Sequence, residues 1–382
     1  MPTLPILLVI ALLGQPSSPP GAPGAPGQNN RGNRNMASVS ERFDQLDRNK
    51  DGVLTQDEVQ RKALFTRADT NKDGKITREE AAALANNARR QPGRNNQRRP
   101  EQPGQSTRSG SELQITRDVP YVTRPIDRSK QSLDIYAHDA STPKPVMIYI
   151  HGGGWSGGDK TPGAEDKAKL LATQGVMLVS VNYRLSPAVT HPIHVKDVAA
   201  AVAWVHDNID DYGGDPERMI VMGHSAGAHL AALVAIDPKR LGAHDKSPDI
   251  LDGAILLDGA AYDLPGMLDI VPDRTRKTHE QWATTNPATQ FDASPTLQIK
   301  AGTNIPPFLI LHTDRALGTR QSQQLAQRLD EVGVPSVVLL CKDETHGSIN
   351  TDLGTPDHLP TEAIRLVLEG LNGQPDRTPR GR

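Results

Sequence analysis

The sequence predicts an α/β protein, a mostly parallel sheet with helices on both faces, preceded by a small helical module. Three observations predict it. From Leu113 onward, short runs rich in β-branched residues alternate with helical patterns, which implies parallel strands joined by crossover helices. The clearest helical pattern is Val195, Val198, Val202, Val205 and Ile209, spaced three and four apart on one face. Nearer the N-terminus, an Asp/Asn-rich pattern occurs twice between segments too rich in Pro, Gly and Asn to bury a core.

The bulk numbers bound the rest. The chain of 382 residues has room for one large domain and something smaller. A formal net charge of −2 gives no global field toward nucleic acid or membrane. Cys341 is the single cysteine, so no internal disulfide exists, and "SVVLLCKD" reads as an inert strand position.

Residues 1–14 read as a signal peptide. The apolar stretch Leu4–Leu13 is about half the length of a membrane span and suits an h-region, although no Lys or Arg precedes it. Export to the periplasm or medium is therefore expected, with no stable membrane span in the mature chain. Residues 15–37 are a flexible linker. Residues 87–111 form a second one, rich in Arg; with no interleaved aromatics it reads as a solvated tether rather than a nucleic-acid patch. Residues 112–372 hold the large domain and 373–382 a frayed tail.

Between the linkers, residues 38–86 carry "DRNKDGVLTQDE" (47–58) and "DTNKDGKITREE" (69–80). Both fit D-x-[DN]-x-[DN]-G-x₅-E. A hard cation needs six or seven oxygens. Asp47, Asn49 and Asp51 offer side-chain oxygens at alternate positions, Val53 its carbonyl, Thr55 a contact through water, and Glu58 two oxygens. Asp69, Asn71, Asp73, Lys75, Thr77 and Glu80 repeat the set, and two such loops in tandem point to Ca2+. Leu54 and Ile76 fall at the eighth positions, where paired loops touch as short strands. The segment resembles an EF-hand pair, with one departure: about ten residues, "VQRKALFTRA", separate the loops, so one helix must serve both. The small apolar set, Phe43, Leu46, Val59, Leu64 and Phe65, implies that calcium contributes to folding. Calcium is expected to be structural, not catalytic.

In the large domain, "LQITRDV" and "SLDIYAH" alternate like antiparallel edge strands. Six further strands are expected at 146–150, 176–181, 219–223, 255–258, 308–312 and 337–340. A helix is expected over 321–333, closed by Gly333. Residues 262–306 form an insertion over the sheet, with Trp282 as one wall of a site.

The chemistry centres on "VMGHSAGAHL" (221–230). A strand, a Gly-x-Ser-x-Gly turn and a helix in succession would expose the Ser225 hydroxyl above the sheet. A serine nucleophile needs a base, and the base an orienting acid, each after a later strand. His346 follows the last strand. Asp314 follows "FLILH" and is the expected acid; Asp258 and Asp263 follow the preceding strand, a less favoured slot, and Asp343 and Glu344 are too close in sequence to His346. His224 lies in the turn, His229 on the next helix, and His312 at a strand end. The loop "HGGGWSGGD" (151–159) would offer the amides of Gly153 and Gly154 to an oxyanion, joined by that of Ala226.

Residues from about 130 to 372 resemble the α/β-hydrolase fold, and within it the esterase/lipase group with an HGG-type oxyanion loop, which includes feruloyl-esterase-like carboxylesterases and arylformamidases. "HGGGW", "VNYRLSP", "KDVAAAVAWVHDN" and "GGDPERMIVMGHSAGAHLAAL" carry the resemblance. It implies that Asp197 and Trp204 hold a supporting helix. The turn bearing Asp314 is shorter than the family's H-G-x-x-D turn, yet its spacing to "QSQQLA" still fits. The implied reaction is two-step cleavage of a carboxylic ester, with a small ester or an acylated polysaccharide as substrate. The alternatives are amide, formamide or peptide hydrolysis, and a calcium-dependent binding protein with an inactive hydrolase domain.

Overall fold

The computed structural model describes residues 49–55, 71, 73–78, 80, 113–138 and 142–372, and these fall into two units. The larger is built on an eight-stranded sheet. Its strands are β1 (Gln114–Pro120), β2 (Ser132–Ala137), β3 (Lys144–Ile150), β4 (Met177–Val181), β5 (Gly214–His224), β6 (Gly253–Leu257), β7 (Phe308–His312) and β8 (Ser336–Leu340), in the order β1-β2-β4-β3-β5-β6-β7-β8. β2 pairs antiparallel with β1 and with β4, and every other neighbour pair is parallel. The antiparallel edge and the six later strands agree with the sequence reading to within a few residues; β5 is the exception, starting five residues early at Gly214.

Parallel strands need both faces covered, and side-chain alternation supplies two apolar faces. In β3, Val146, Ile148 and Ile150 enter one core while Met147 and Tyr149 enter the other; in β5, Met219 and Val221 oppose Ile220 and Met222. The covering helices are α1 (Ala164–Thr173), α2 (Ile193–Asn208), α3 (Ala226–Ile236) and, beyond it, the short α4 (Pro238–Gly242). The insertion folds as α5 (Leu264–Leu268), α6 (Asp273–Ala283), α7 (Pro287–Asp292) and α8 (Pro295–Gln298). The chain finishes with α9 (Ala316–Glu331), α10 (Ser348–Thr351) and α11 (Leu359–Asn372). α9 starts earlier than the sequence reading had it, because the turn after β7 is so short that the helix begins at Ala316.

Every residue of α3 is buried, in keeping with its Ala-rich sequence. Small residues let this helix sit against the strand ends. A Cβ on Gly227 would lie 2.1 Å from the Ile150 carbonyl oxygen, and one on Gly223 would lie 2.2 Å from that of Gly227. The glycines of the serine motif are thus demanded by close backbone packing. Among the described residues, no helix is long and apolar enough to cross a membrane. Cys341 is buried and its thiol is pushed up to about 12 by that burial, so it is an inert thiol, as its sequence context implied.

Candidate active site and EF-hand loops

Ser225 caps α3 with φ 54° and ψ −118°, a strained turn that lifts the side chain off the carboxyl end of β5. Its N–H donates to the Leu257 carbonyl at 2.9 Å, extending the β5–β6 ladder by one bond. His346 stands in the turn between β8 and α10. Its Nε2 lies 3.0 Å from Ser225 Oγ, and its Nδ1–H donates to Asp258 Oδ2 at 2.7 Å. Serine and histidine therefore meet as the sequence implied.

The acid does not. Asp314 is exposed, and Asp258, at the end of β6, stands behind His346. The short turn explains the correction. β7 ends at His312 and α9 starts at Ala316, leaving no length to carry a carboxylate back to the imidazole. What the turn sends back is donors. Thr313 N–H donates to Asp258 Oδ1 at 3.1 Å, Thr313 Oγ1 to Oδ2 at 3.0 Å, and Arg315 Nε to Oδ2 at 2.9 Å. The Asp258 side chain is fully buried. Burial alone would raise its carboxyl; the bond to His346, the Thr313 amide and hydroxyl and the Arg315 charge together lower it to about 2. The carboxylate therefore stays ionised well below neutral pH.

The oxyanion loop follows β3. Gly152 presses against the serine turn: a Cβ there would lie 3.2 Å from Ser225 Cβ. Gly153 (φ 116°) and Gly154 (φ 59°) lie in the exposed turn that follows, and the Gly153 carbonyl accepts from the Ser156 and Gly157 amides. Ala226 is the first residue of α3, so its N–H has no partner within the helix and faces the site's end of the sheet. The loop is braced from beneath by the motifs singled out in sequence. Tyr183 stacks on the His151 ring at 4.5 Å and donates its hydroxyl to the His151 carbonyl at 3.1 Å. Asn182 accepts from the Lys160 amide at 2.6 Å and donates to Asp159 at 2.9 Å. Arg184 makes a two-pronged pair with Asp197 of α2 at 2.7 and 2.6 Å, giving Asp197 its expected supporting role.

Trp282 is not a wall of an open site. It is buried and stacks on Trp155 of the oxyanion loop at 3.9 Å between centroids. Trp155 Nε1–H donates to His229 Nδ1 at 3.3 Å, and His229 Nε2–H donates to the Ala293 carbonyl at 2.6 Å. The insertion is tied in this way to the loop that it covers. His191, Lys239 and Arg240 add a second tie through Asp292.

With this geometry in view, the comparisons decide the family. Residues 133–329, more than half of the chain, match the BD-FAE family. The chain belongs to that family. The BD-FAE stretch carries Ser225, Asp258 and the oxyanion loop, while His346 lies beyond it. The chain is 31% identical over 271 residues to the esterase LipQ of Mycobacterium tuberculosis, covering 68% of this chain and 63% of LipQ. Over 218 residues it is 31% identical to the esterase LipC of the same organism, covering 54% of each. It thus spans from about half to under two thirds of the length of such relatives. Esterase B from Lactobacillus rhamnosis superposes with a TM-score of 0.58 at 21% identity, covering 70% of this chain and 89% of that one. A truncated carbohydrate esterase from gut microbiota superposes with a TM-score of 0.57 at 20% identity, over 71% of this chain and 100% of that one. At these identities the likeness is one of fold, and the fold is that of the α/β-hydrolases.

The smaller unit matches a different family. Residues 40–61 and 62–80 each match the EF-hand family. Asp47, Glu58 and Asp69 lie outside the described residues. In the first loop, Asn49 Oδ1 accepts from the Asp51 amide and Asp51 Oδ1 from the Val53 amide, both at 3.0 Å. In the second, Asn71 and Asp73 do the same toward the amides of Asp73 and Lys75, at 3.0 and 2.9 Å. Glu80 turns its carboxylate into its loop, accepting from the Asn71 amide at 3.3 Å and from Thr77 N–H at 3.0 Å. Gly52 and Gly74 take φ of 84° and 81°, the sharp turn that a loop of this length needs. Leu54 and Ile76 exchange main-chain hydrogen bonds at 2.9 and 2.8 Å, which is the expected pairing of eighth positions. The curled loops and hard oxygen donors fit a calcium ion.

Two residues at the main site were set aside or unread in sequence. Asp258 terminates an apolar run, "AILLD", at a φ of 45°, and the shortened β7 turn was the available signal for it. Arg315 carried no motif; only the fold brings it to Asp258.

Proposed function

We propose that this chain hydrolyses carboxylic esters through a Ser225–His346–Asp258 triad. The supporting observation is the unbroken line from Ser225 Oγ to His346 Nε2 (3.0 Å) and from His346 Nδ1 to Asp258 Oδ2 (2.7 Å) at the carboxyl ends of β5, β6 and β8. Ser225 Oγ attacks the ester carbonyl and its proton passes to His346 Nε2. The new oxyanion is received by main-chain amides of Gly153, Gly154 and Ala226. Asp258 holds the imidazolium through Nδ1–H. The C–O bond to the leaving alcohol breaks as His346 returns the proton to that oxygen. Water then attacks the acyl-enzyme, again losing its proton to His346, and the acid departs with Ser225 restored.

A small ester is the substrate class the site supports. Acylated polysaccharide rests on family likeness alone. Calcium would be held by Asp47, Asn49, Asp51, Val53, Thr55 and Glu58, and by Asp69, Asn71, Asp73, Lys75, Thr77 and Glu80; it would neutralise and order those loops. Export rests on the apolar stretch Leu4–Leu13.

The test is a panel of p-nitrophenyl acyl esters set beside the matching anilides, with wild type and Ser225→Ala. Ester turnover that Ser225→Ala lowers by ~10³-fold or more supports the reading. Faster turnover of the anilides would transfer it to amide hydrolysis. A folded wild type inert toward every ester would sink it.

A further inference from the structure

His224 sits in the serine motif itself, yet no step above uses it. Its Nε2 lies 2.7 Å from the main-chain carbonyl oxygen of His346, across 122 residues of chain. A carbonyl only accepts, so Nε2 carries the proton and donates. The two rings stand 4.8 Å apart, tilted by 38°. On its other edge, Nδ1 of His224 faces the oxyanion loop: a Cβ added to Gly152 would lie 2.9 Å from it. In sequence His224 is bonded directly to Ser225, and it is the last residue of β5, paired with Leu257 just before Asp258. From the residue next to the serine, one ring therefore reaches both the His346 loop and the oxyanion loop.

We propose that His224 is a positioning residue, whose Nε2–H fixes the main chain of His346 and so sets the imidazole over Ser225. This rests on the hydrolase reading above. His346 is carried by a turn in which the Thr345 amide donates to Ser348 Oγ (2.8 Å) and Tyr149 to Asn350 (2.8 Å); these bonds hold the chain on either side of His346, and the His224 ring donates to the His346 carbonyl itself. A neutral ring is also what the place demands. Burial lowers the His224 imidazole to about 4, and a positive charge on His346 lowers it in the same direction. It remains an uncharged donor while His346 gains and loses its proton beside it.

The test uses the full chain. Steady-state hydrolysis of p-nitrophenyl acetate is measured for wild type, His224→Phe and His224→Gln, with phosphonylation of Ser225 by a fluorophosphonate as a second readout. Phenylalanine fills the space without a donor; glutamine places an N–H near the Nε2 position. The expected result is a loss of about tenfold or more in kcat for His224→Phe with KM little changed, and recovery of most of it in His224→Gln. In the wild type, ¹⁵N-histidine NMR between pH 6 and 8 should show His224 as the neutral Nε2–H tautomer, which decides the matter even if the phenylalanine variant does not fold. An active wild type matched by His224→Phe, a glutamine variant no better than phenylalanine, or a charged or Nδ1–H His224 would overturn the role. A wild type that neither turns over esters nor is phosphonylated would overturn the hydrolase reading instead.

Discussion

Arg315 Nη2 lies 2.8 Å from Asp258 Oδ2, the same carboxylate oxygen that accepts from His346. An arginine from the turn after β7 thus grips an acid that stands after β6. In the slot where the sequence reading put the acid, the fold has a cation and a threonine that hold the acid from next door.

The sharpest consequence is a contrast between two aspartates. Asp258→Asn should lower kcat by about 10³–10⁴-fold, because an amide cannot stabilise the imidazolium and favours the wrong tautomer. Asp314→Asn should leave the rate unchanged, since Asp314 faces solvent. Stopped or steady-state ester hydrolysis on both variants checks this, and the reverse ranking would return the acid to the β7 turn.

The same carboxyl links pH to stability. Asp258 is held to about 2 in the fold, against an ordinary 3.8. Its stabilising contribution is full above a pH of about 4 and disappears as the pH falls through about 2. Urea denaturation at stepped pH should show that decline, and Arg315→Met, with a higher folded-state value, should show a smaller decline that ends at a higher pH.

Trp282→Ala should cost about 3–5 kcal/mol in urea unfolding, the range for truncating a large buried aromatic. It also removes the ring on which Trp155 of the oxyanion loop stacks. Ester kinetics on the folded fraction should therefore show kcat falling more than KM rises. A variant that loses stability alone would separate the insertion from catalysis.

Calcium should bind at two sites and leave turnover alone. Titration of the full chain, followed by calorimetry, should give two equivalents, reduced to one by Glu80→Gln. Stripping with EGTA should leave ester kcat within about twofold. Loss of turnover on stripping would make calcium part of the active machinery.

Most of the fold was legible because its signals are local. Alternating apolar runs mark buried parallel strands, and the glycines around Ser225 mark a turn where backbone meets backbone. His346 was legible too, since it follows the last strand. Asp258 was not chosen, because a carboxylate's reach depends on loop length in space. The missing residues after β7 were visible in sequence, but their effect needed the position of Arg315 to be seen. Trp282 was misplaced for a similar reason: a tryptophan in an insertion can line a cavity or stack beneath a loop, and only the partner ring at Trp155 decides. His224 lies in the motif's turn, and only the return of the chain at His346 gives its ring a partner.

One backbone contact separates the parts of the triad into unequal halves. Ser225 donates its amide to Leu257, whose neighbour is Asp258, so nucleophile and acid ride on the same rung between adjoining strands and cannot drift apart without tearing the sheet. The imidazole alone is carried by a turn beyond the last strand, tied to the sheet through the His224 ring and the Asp258 carboxylate. Strain on this assembly, whether from heat, mutation or a bulky acyl group, therefore falls first on those two ties.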